Sequence, residues 1–103
     1  MDMEKDEDEA IHIPIDGVLD LHLFAPKETA SVVEEYLRAC LEKGIHEVRI
    51  IHGKGKGILR RQVHALLKRN PLVRDFSLDP GPSGWGVSIA RLKQDSRPLN
   101  GSD

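Results

Sequence analysis

The sequence holds a single cysteine, Cys40, so no disulfide can form within the chain and no cysteine-rich zinc site can be built. It has no apolar run approaching the roughly 18 residues that a bilayer demands, which excludes a transmembrane helix. It also lacks the basic-then-apolar opening of a secretory signal. The N-terminus is acidic instead, so a cytoplasmic location is expected. Acids, in turn, are missing where bases gather. From Arg49 to Arg74 there are eight basic residues (Arg49, Lys54, Lys56, Arg60, Arg61, Lys68, Arg69 and Arg74) and no acid. The formal charge of −2 hides this segregation: residues 1–10 carry six acids against Lys5 alone, and residues 15–48 carry seven acids against three bases.

With 103 residues the chain has room for one domain plus tails. Residues 1–13, rich in like charge and poor in hydrophobes, are expected to form a disordered acidic tail, and residues 94–103 a second disordered tail. The folded part is then 14–93, about 80 residues, enough for one modest core.

Within that span the hydrophobic period changes in a regular order. Val18 to His22 alternates, with Leu19 and Leu21 on one face and Asp20 and His22 on the other, as in a strand. Pro26 suits the first turn of a helix that runs to Lys43 on an apolar stripe of Ala30, Val33, Leu37, Cys40 and Leu41, stopped by Gly44. Glu47 to His52 is a β-branched strand; Leu59, Val63, Leu66 and Leu67 mark a second helix ended by Asn70-Pro71. Leu72 to Leu78 and Gly86 to Leu92 are two further strands around a turn-rich loop. The order β-α-β-α-β-β predicts a two-layer α/β sandwich. Its four-stranded mixed sheet carries both helices on one face, and strands 1 and 2 lie side by side through a right-handed crossover. The placement of strand 4, outside strand 3 or beside strand 2, stays open.

Ligands of open α/β sheets bind beyond the carboxyl ends of the parallel strands. There stand Asp20 and His22, ending strand 1 on the face the helices leave uncovered, and His52, ending strand 2. A carboxylate beside an imidazole orients or charges it; the plain alternative is the solvent-facing half of an alternating strand. The segment His52-Gly53-Lys54-Gly55-Lys56-Gly57 is sharper. It follows a strand and opens a helix, so free N–H groups and the helix dipole meet where Gly53, Gly55 and Gly57 let a phosphate approach and Lys54 and Lys56 add charge. It has neither the Walker A nor the dinucleotide spacing, and its plain alternative is a tight turn with solvated lysines. Arg60 and Arg61 oppose the dipole of the next helix, a conflict that an anion would relieve.

With Lys68, Arg69 and Arg74 the basic residues resemble a phosphate-backbone footprint, although such a run can also be only a solvated face. The acidic tail suits either masking of that footprint or solubility. Trp85, the only tryptophan, would either stack on a base or plug the core. His46 and His64 are expected at the surface or in packing, His12 in the tail and Cys40 in the core.

Three stretches carry a family resemblance. They are Leu19-Asp20-Leu21-His22, Val48-Arg49-Ile50-Ile51-His52-Gly53-Lys54-Gly55, and Gly84-Trp85-Gly86-Val87-Ser88-Ile89-Ala90-Arg91-Leu92. Over residues 16–92 the pattern resembles the Smr (small MutS-related) domain family. Asp20 to His22 matches its Asp-Leu-His motif, and His52, Gly53 and Gly55 its His-Gly-x-Gly motif. The resemblance implies a fold like the C-terminal domain of bacterial translation initiation factor three. It implies endonuclease activity on DNA or RNA in many members, and nucleic-acid binding alone in others. Leu23-Phe24 stands where the family usually has a glycine after the histidine, which narrows the mouth beside His22. With no room for the ATPase of the MutS-like members, a stand-alone form is expected.

Two functions follow as expectations. In the first, a nuclease holds the scissile phosphate on the glycine loop, His22 is general acid or base oriented by Asp20, and His52 is the second proton carrier or a charge stabiliser. No cofactor is required on RNA; on DNA, Asp20, His22 and His52 could help to hold a divalent ion, although without a second carboxylate they make a poor magnesium site. In the second, the same surface binds nucleic acid without turnover. A small-molecule nucleotide binder would need a closed pocket. No membrane partner is expected, and the oligomeric state stays open.

Overall fold

The computed structural model describes residues 14–53, 55, 57–81 and 86–94. The expectations for the acidic tail, for residues 95–103 and for Lys54, Lys56 and Trp85 lie outside the described residues.

Strand β1 covers Val18–Asp20, and its extension to His22 is not observed. The chain turns at Leu21 into a 3₁₀ turn, Leu21–Leu23, because the Asp20 carboxylate accepts the His22 backbone N–H at 2.9 Å and caps that turn. His22 thereby leaves the sheet instead of sharing its uncovered face with Asp20. A second 3₁₀ turn, Pro26–Glu28, leads into helix α1, Thr29–Glu42. Proline suits that first turn because its missing N–H would have had no partner there. Helix α1 buries Thr29, Val32, Val33, Tyr36, Leu37 and Cys40, the i, i+3, i+4, i+7 series of one face. Relative to the expected stripe, Ala30 is exposed, Leu41 only packs against the core edge, and Tyr36 is central. Gly44, at φ +80°, ends the helix, and Ile45 N–H returns to Cys40 O at 2.9 Å.

Strand β2 is Glu47–Ile51, helix α2 is Ile58–Arg69, strand β3 is Val73–Leu78 and strand β4 is Val87–Leu92. The sheet order is β1-β2-β4-β3, with β1 parallel to β2 and β4 antiparallel to both of its neighbours. Strand β4 therefore inserts beside β2, which resolves the placement the sequence left open. Its composition fits a central position: Val87, Ser88, Ala90 and Leu92 are buried. The adjacent charges Arg74 and Asp75 suit β3 to an edge.

Leu19, Val48, Ile50, Ala90 and Leu92 meet Val33, Leu37, Cys40, Val63 and Leu67 of the helices in one core. The other sheet face mixes apolar residues, Val18, Ile51 and Ile89 among them, with paired charges. Arg49 pairs with Asp79, and Arg91 donates to Asp75 and, at 3.1 Å, to Ser77. The expected continuous basic footprint is thus broken up. Arg49 and Arg74 are taken up by Asp79 and Asp75, and Lys68 and Arg69 end α2, where cations suit the dipole. That end lies about 18 Å from the helix start at 1.5 Å per residue.

Candidate functional site

The parallel pairing of Asp20 with Ile51 brings the residues that follow each strand together at one end of the sheet. His22 Nδ1 lies 3.1 Å from Asp20 Oδ1, so one carboxylate both caps the turn and orients the ring. A hydrogen on Nδ1 leaves Nε2 as the basic nitrogen. Nε2 stands over Gly53: a Cβ at that position would lie 3.0 Å from it, and Gly53 has φ +81°. Only glycine meets both conditions without strain. No two of these three residues adjoin in sequence, yet they form one cluster.

The glycine loop is held from below. His52 and Gly53 N–H both donate to Gly86 O at 2.9 Å. The His52 ring is buried, its Nδ1 3.1 Å from Gly53 O and its Nε2 2.8 Å from Ser88 Oγ. Since a carbonyl only accepts, Nδ1 carries the hydrogen and Nε2 accepts from Ser88 Oγ. Ser88 Oγ in turn accepts from His64 Nε2 at 2.6 Å. One directed chain therefore runs from His64 through Ser88 and His52 to the Gly53 carbonyl. Burial above all holds both imidazoles below the ordinary histidine range, Arg60 adding to this in each case and His52 acting further on His64. Both ring nitrogens of His52, expected as second proton carrier or charge stabiliser, are engaged within the protein, where the ring holds the loop to β4. Ser88 and His64 are the members that sequence reasoning missed. The signal for Ser88 was a hydroxyl on the same face of the strand as the core residues Ala90 and Leu92.

Helix α2 opens from Gly57, at φ +83°, with no side-chain cap and no acid in its first turn. Arg61 N–H reaches Gly57 O at 3.0 Å, which leaves the amides of Ile58, Leu59 and Arg60 without helical acceptors. The Arg60 guanidinium lies over Gly57, 2.8 Å from where a Cβ would stand, so its charge is carried to the loop. Arg61 is exposed. His52, Gly53, Gly55, Gly57, Ile58, Leu59 and Arg60 line an open hollow of ≈ 230 Å³. Its free amides and guanidinium are donors for an anion. Among the described residues no three His, Cys, Asp or Glu side chains group as metal ligands. Among the same residues no helix is long and apolar enough to cross a membrane.

Comparison with known proteins agrees with this geometry. The Smr domain family profile matches residues 19–93. Endonuclease MutS2 of Clostridium tetani is 36% identical over 80 residues, covering 77% of this chain and 10% of the relative. The protein of the same name from Clostridium novyi is 38% identical over 76 residues, 73% of this chain and 10% of its own length. The chain thus spans about a tenth of the curated relatives it matches. The crystal structure of the Smr domain of Thermus thermophilus MutS2 superposes with a TM-score of 0.68 at 30% identity, covering 76% of this chain and 99% of that one. YdaL, a stand-alone small MutS-related protein from Escherichia coli, gives 0.66 at 28% identity, over 79% and 67%. With its motifs clustered at one sheet end and its profile matched over most of the chain, this protein belongs to the Smr domain family.

Proposed function

We propose that the domain is an endonuclease that cleaves phosphodiester bonds in nucleic acid, with His22 as general acid–base and Asp20 as its orienting group. The observation that carries this reading is the Asp20–His22 pair, its free Nε2 held over Gly53 beside the donor-lined hollow. The scissile phosphate lies on the loop, where the Ile58, Leu59 and Arg60 amides and the Arg60 guanidinium balance its charge. Lys54 and Lys56 add charge from the same loop. On RNA, His22 Nε2 takes the proton of the 2′-hydroxyl as that oxygen bonds to phosphorus. The bond to the 5′-oxygen breaks, and that oxygen takes up a proton from water, leaving a cyclic phosphate and a free hydroxyl; His22 then returns its proton to solvent. On DNA the attacking oxygen is that of water. The name endonuclease carried by the longer relatives supports the class of reaction.

A binding module without turnover is the second reading. Leu23, 63% exposed beside His22, favours it, because it stands where the family resemblance expects glycine. One assay separates the two: cleavage of end-labelled single-stranded RNA and of supercoiled plasmid, with and without EDTA, by wild type and His22→Gln. Asp20 is a poorer target because its loss also uncaps the turn. A nuclease loses about 10²- to 10⁴-fold in the variant while binding is kept. Binding without cleavage by wild type establishes the module, and equal cleavage by both proteins refutes the assignment of His22. The EDTA arm decides whether a divalent ion takes part.

A further inference from the structure

On the other side of His22 lies a second, larger hollow of ≈ 360 Å³, within the size range of small-ligand sites. Leu21, His22, Phe24, Pro26 and Thr29 line one wall, and Ile58, Leu59 and Gln62 the other. Its walls are mainly apolar, with Phe24 as an aromatic surface and Gln62 as an amide able both to donate and to accept. Three large hydrophobic side chains are exposed among the described residues, and one of them, Ile58 at 65%, lines this groove. An apolar, concave wall with a few polar groups has the make-up of a small-ligand site.

The groove is continuous with the glycine-loop hollow: Ile58 and Leu59 line both, and the His22 ring stands at the junction, over Gly53. A nucleotide has the same layout, an anionic phosphate joined through a sugar to a flat base with stacking faces and polar edges. We infer that the groove is a nucleobase subsite, which takes an unstacked base while its phosphate lies on the glycine loop and its sugar faces His22. This rests on the nucleic-acid reading and narrows it. A paired base cannot leave its stack to enter the groove without a cost of a few kcal/mol, so the preferred substrate is single-stranded or locally unpaired. Phe24 supplies a stacking surface that accepts any base, and Gln62 is the group that can favour one over another.

The test is a titration of the full chain, followed by NMR of backbone amides and of Leu and Ile methyl groups, with uridine monophosphate, ribose 5-phosphate and inorganic phosphate. All three probes are expected to shift the Gly53, Gly55 and Gly57 amides. Only the nucleotide should shift the Leu21, Ile58 and Leu59 methyls. Gln62→Ala, at an exposed helical position that lines the groove and not the glycine-loop hollow, should weaken nucleotide binding at least fivefold and leave ribose 5-phosphate unchanged. Loop shifts with groove methyls still, or equal weakening of both ligands in the variant, overturn the base subsite and leave phosphate binding standing. No loop shift with any probe overturns the nucleic-acid reading itself, and the subsite with it.

Discussion

At the residue scale the site turns on Gly53. Its backbone is left-handed, and the His22 ring occupies the space a side chain would take. Gly53→Ala therefore meets two separate costs. The left-handed conformation costs an L-residue about 1–2 kcal/mol, and the new methyl displaces His22 Nε2. The expected outcome is a loss of roughly that size in denaturant titration, together with a fall in cleavage rate larger than the unfolded fraction explains. A variant that loses stability but keeps its specific activity would show that the contact with His22 is incidental. The same region shows what the sequence conceals. His52 and His22 look alike as histidines at strand ends, but one has its ring nitrogens bound to Gly53 and Ser88 and the other keeps Nε2 open. That distinction depends on Ser88 and His64, 36 and 12 residues further along the chain.

At the scale of elements, the position of β1 depends on Tyr36 of α1. The ring is fully buried, and its hydroxyl lies 3.1 Å from Gly17 N–H, 3.2 Å from Asp16 N–H and 3.0 Å from Val18 O. A single hydroxyl thus serves donors and an acceptor of the segment that enters β1, and burial raises the phenol's pKa. Tyr36→Phe keeps the apolar packing and leaves buried backbone groups without partners, at about 1–3 kcal/mol. Urea titration should read that loss, and hydrogen exchange should speed up at Asp16 and Gly17 before the helices. Uniform loss of protection across the domain would instead mean that the hydroxyl holds no local element. Most of the element boundaries were legible in hydrophobic period. Strand β1 was not, because alternation from Val18 to His22 is unchanged by a side-chain cap that turns the chain at Leu21.

For the whole molecule, the titrating groups predict a stability plateau. His52 and His64 are held below the ordinary value of 6.5 by burial, so below that pH the unfolded chain binds more protons than the folded one. Stability is then lost as pH falls from 6.5 through the lowered folded values. Cys40 and Tyr36 are raised by burial, so stability also declines as pH rises past the ordinary thiol and phenol values of 9.0 and 10.0. Denaturant midpoints measured from pH 5 to 10 should show a plateau between those limits, and His64→Gln should soften the acid limb alone. An acid limb of unchanged steepness in that variant would place its cause elsewhere. Asp75, lowered chiefly by its hydrogen bond to Arg91, acts only below the carboxylate range and does not confuse the result.

The sequence by itself determined the order and type of the elements, the family, and the chemical identity of the motif residues. All of these are written in local pattern: a period of two or of 3.6, a glycine at a turn, a histidine two residues after an aspartate. Only the tertiary structure decided that β4 lies between β2 and β3, that His52 is buried with both ring nitrogens engaged while His22 is exposed, and that the basic run is divided along its length. Those facts depend on which distant groups share one dielectric and one hydrogen-bond network. A linear pattern fixes which way a side chain points along its own element. It does not fix which carboxylate, hydroxyl or backbone from another element meets it there.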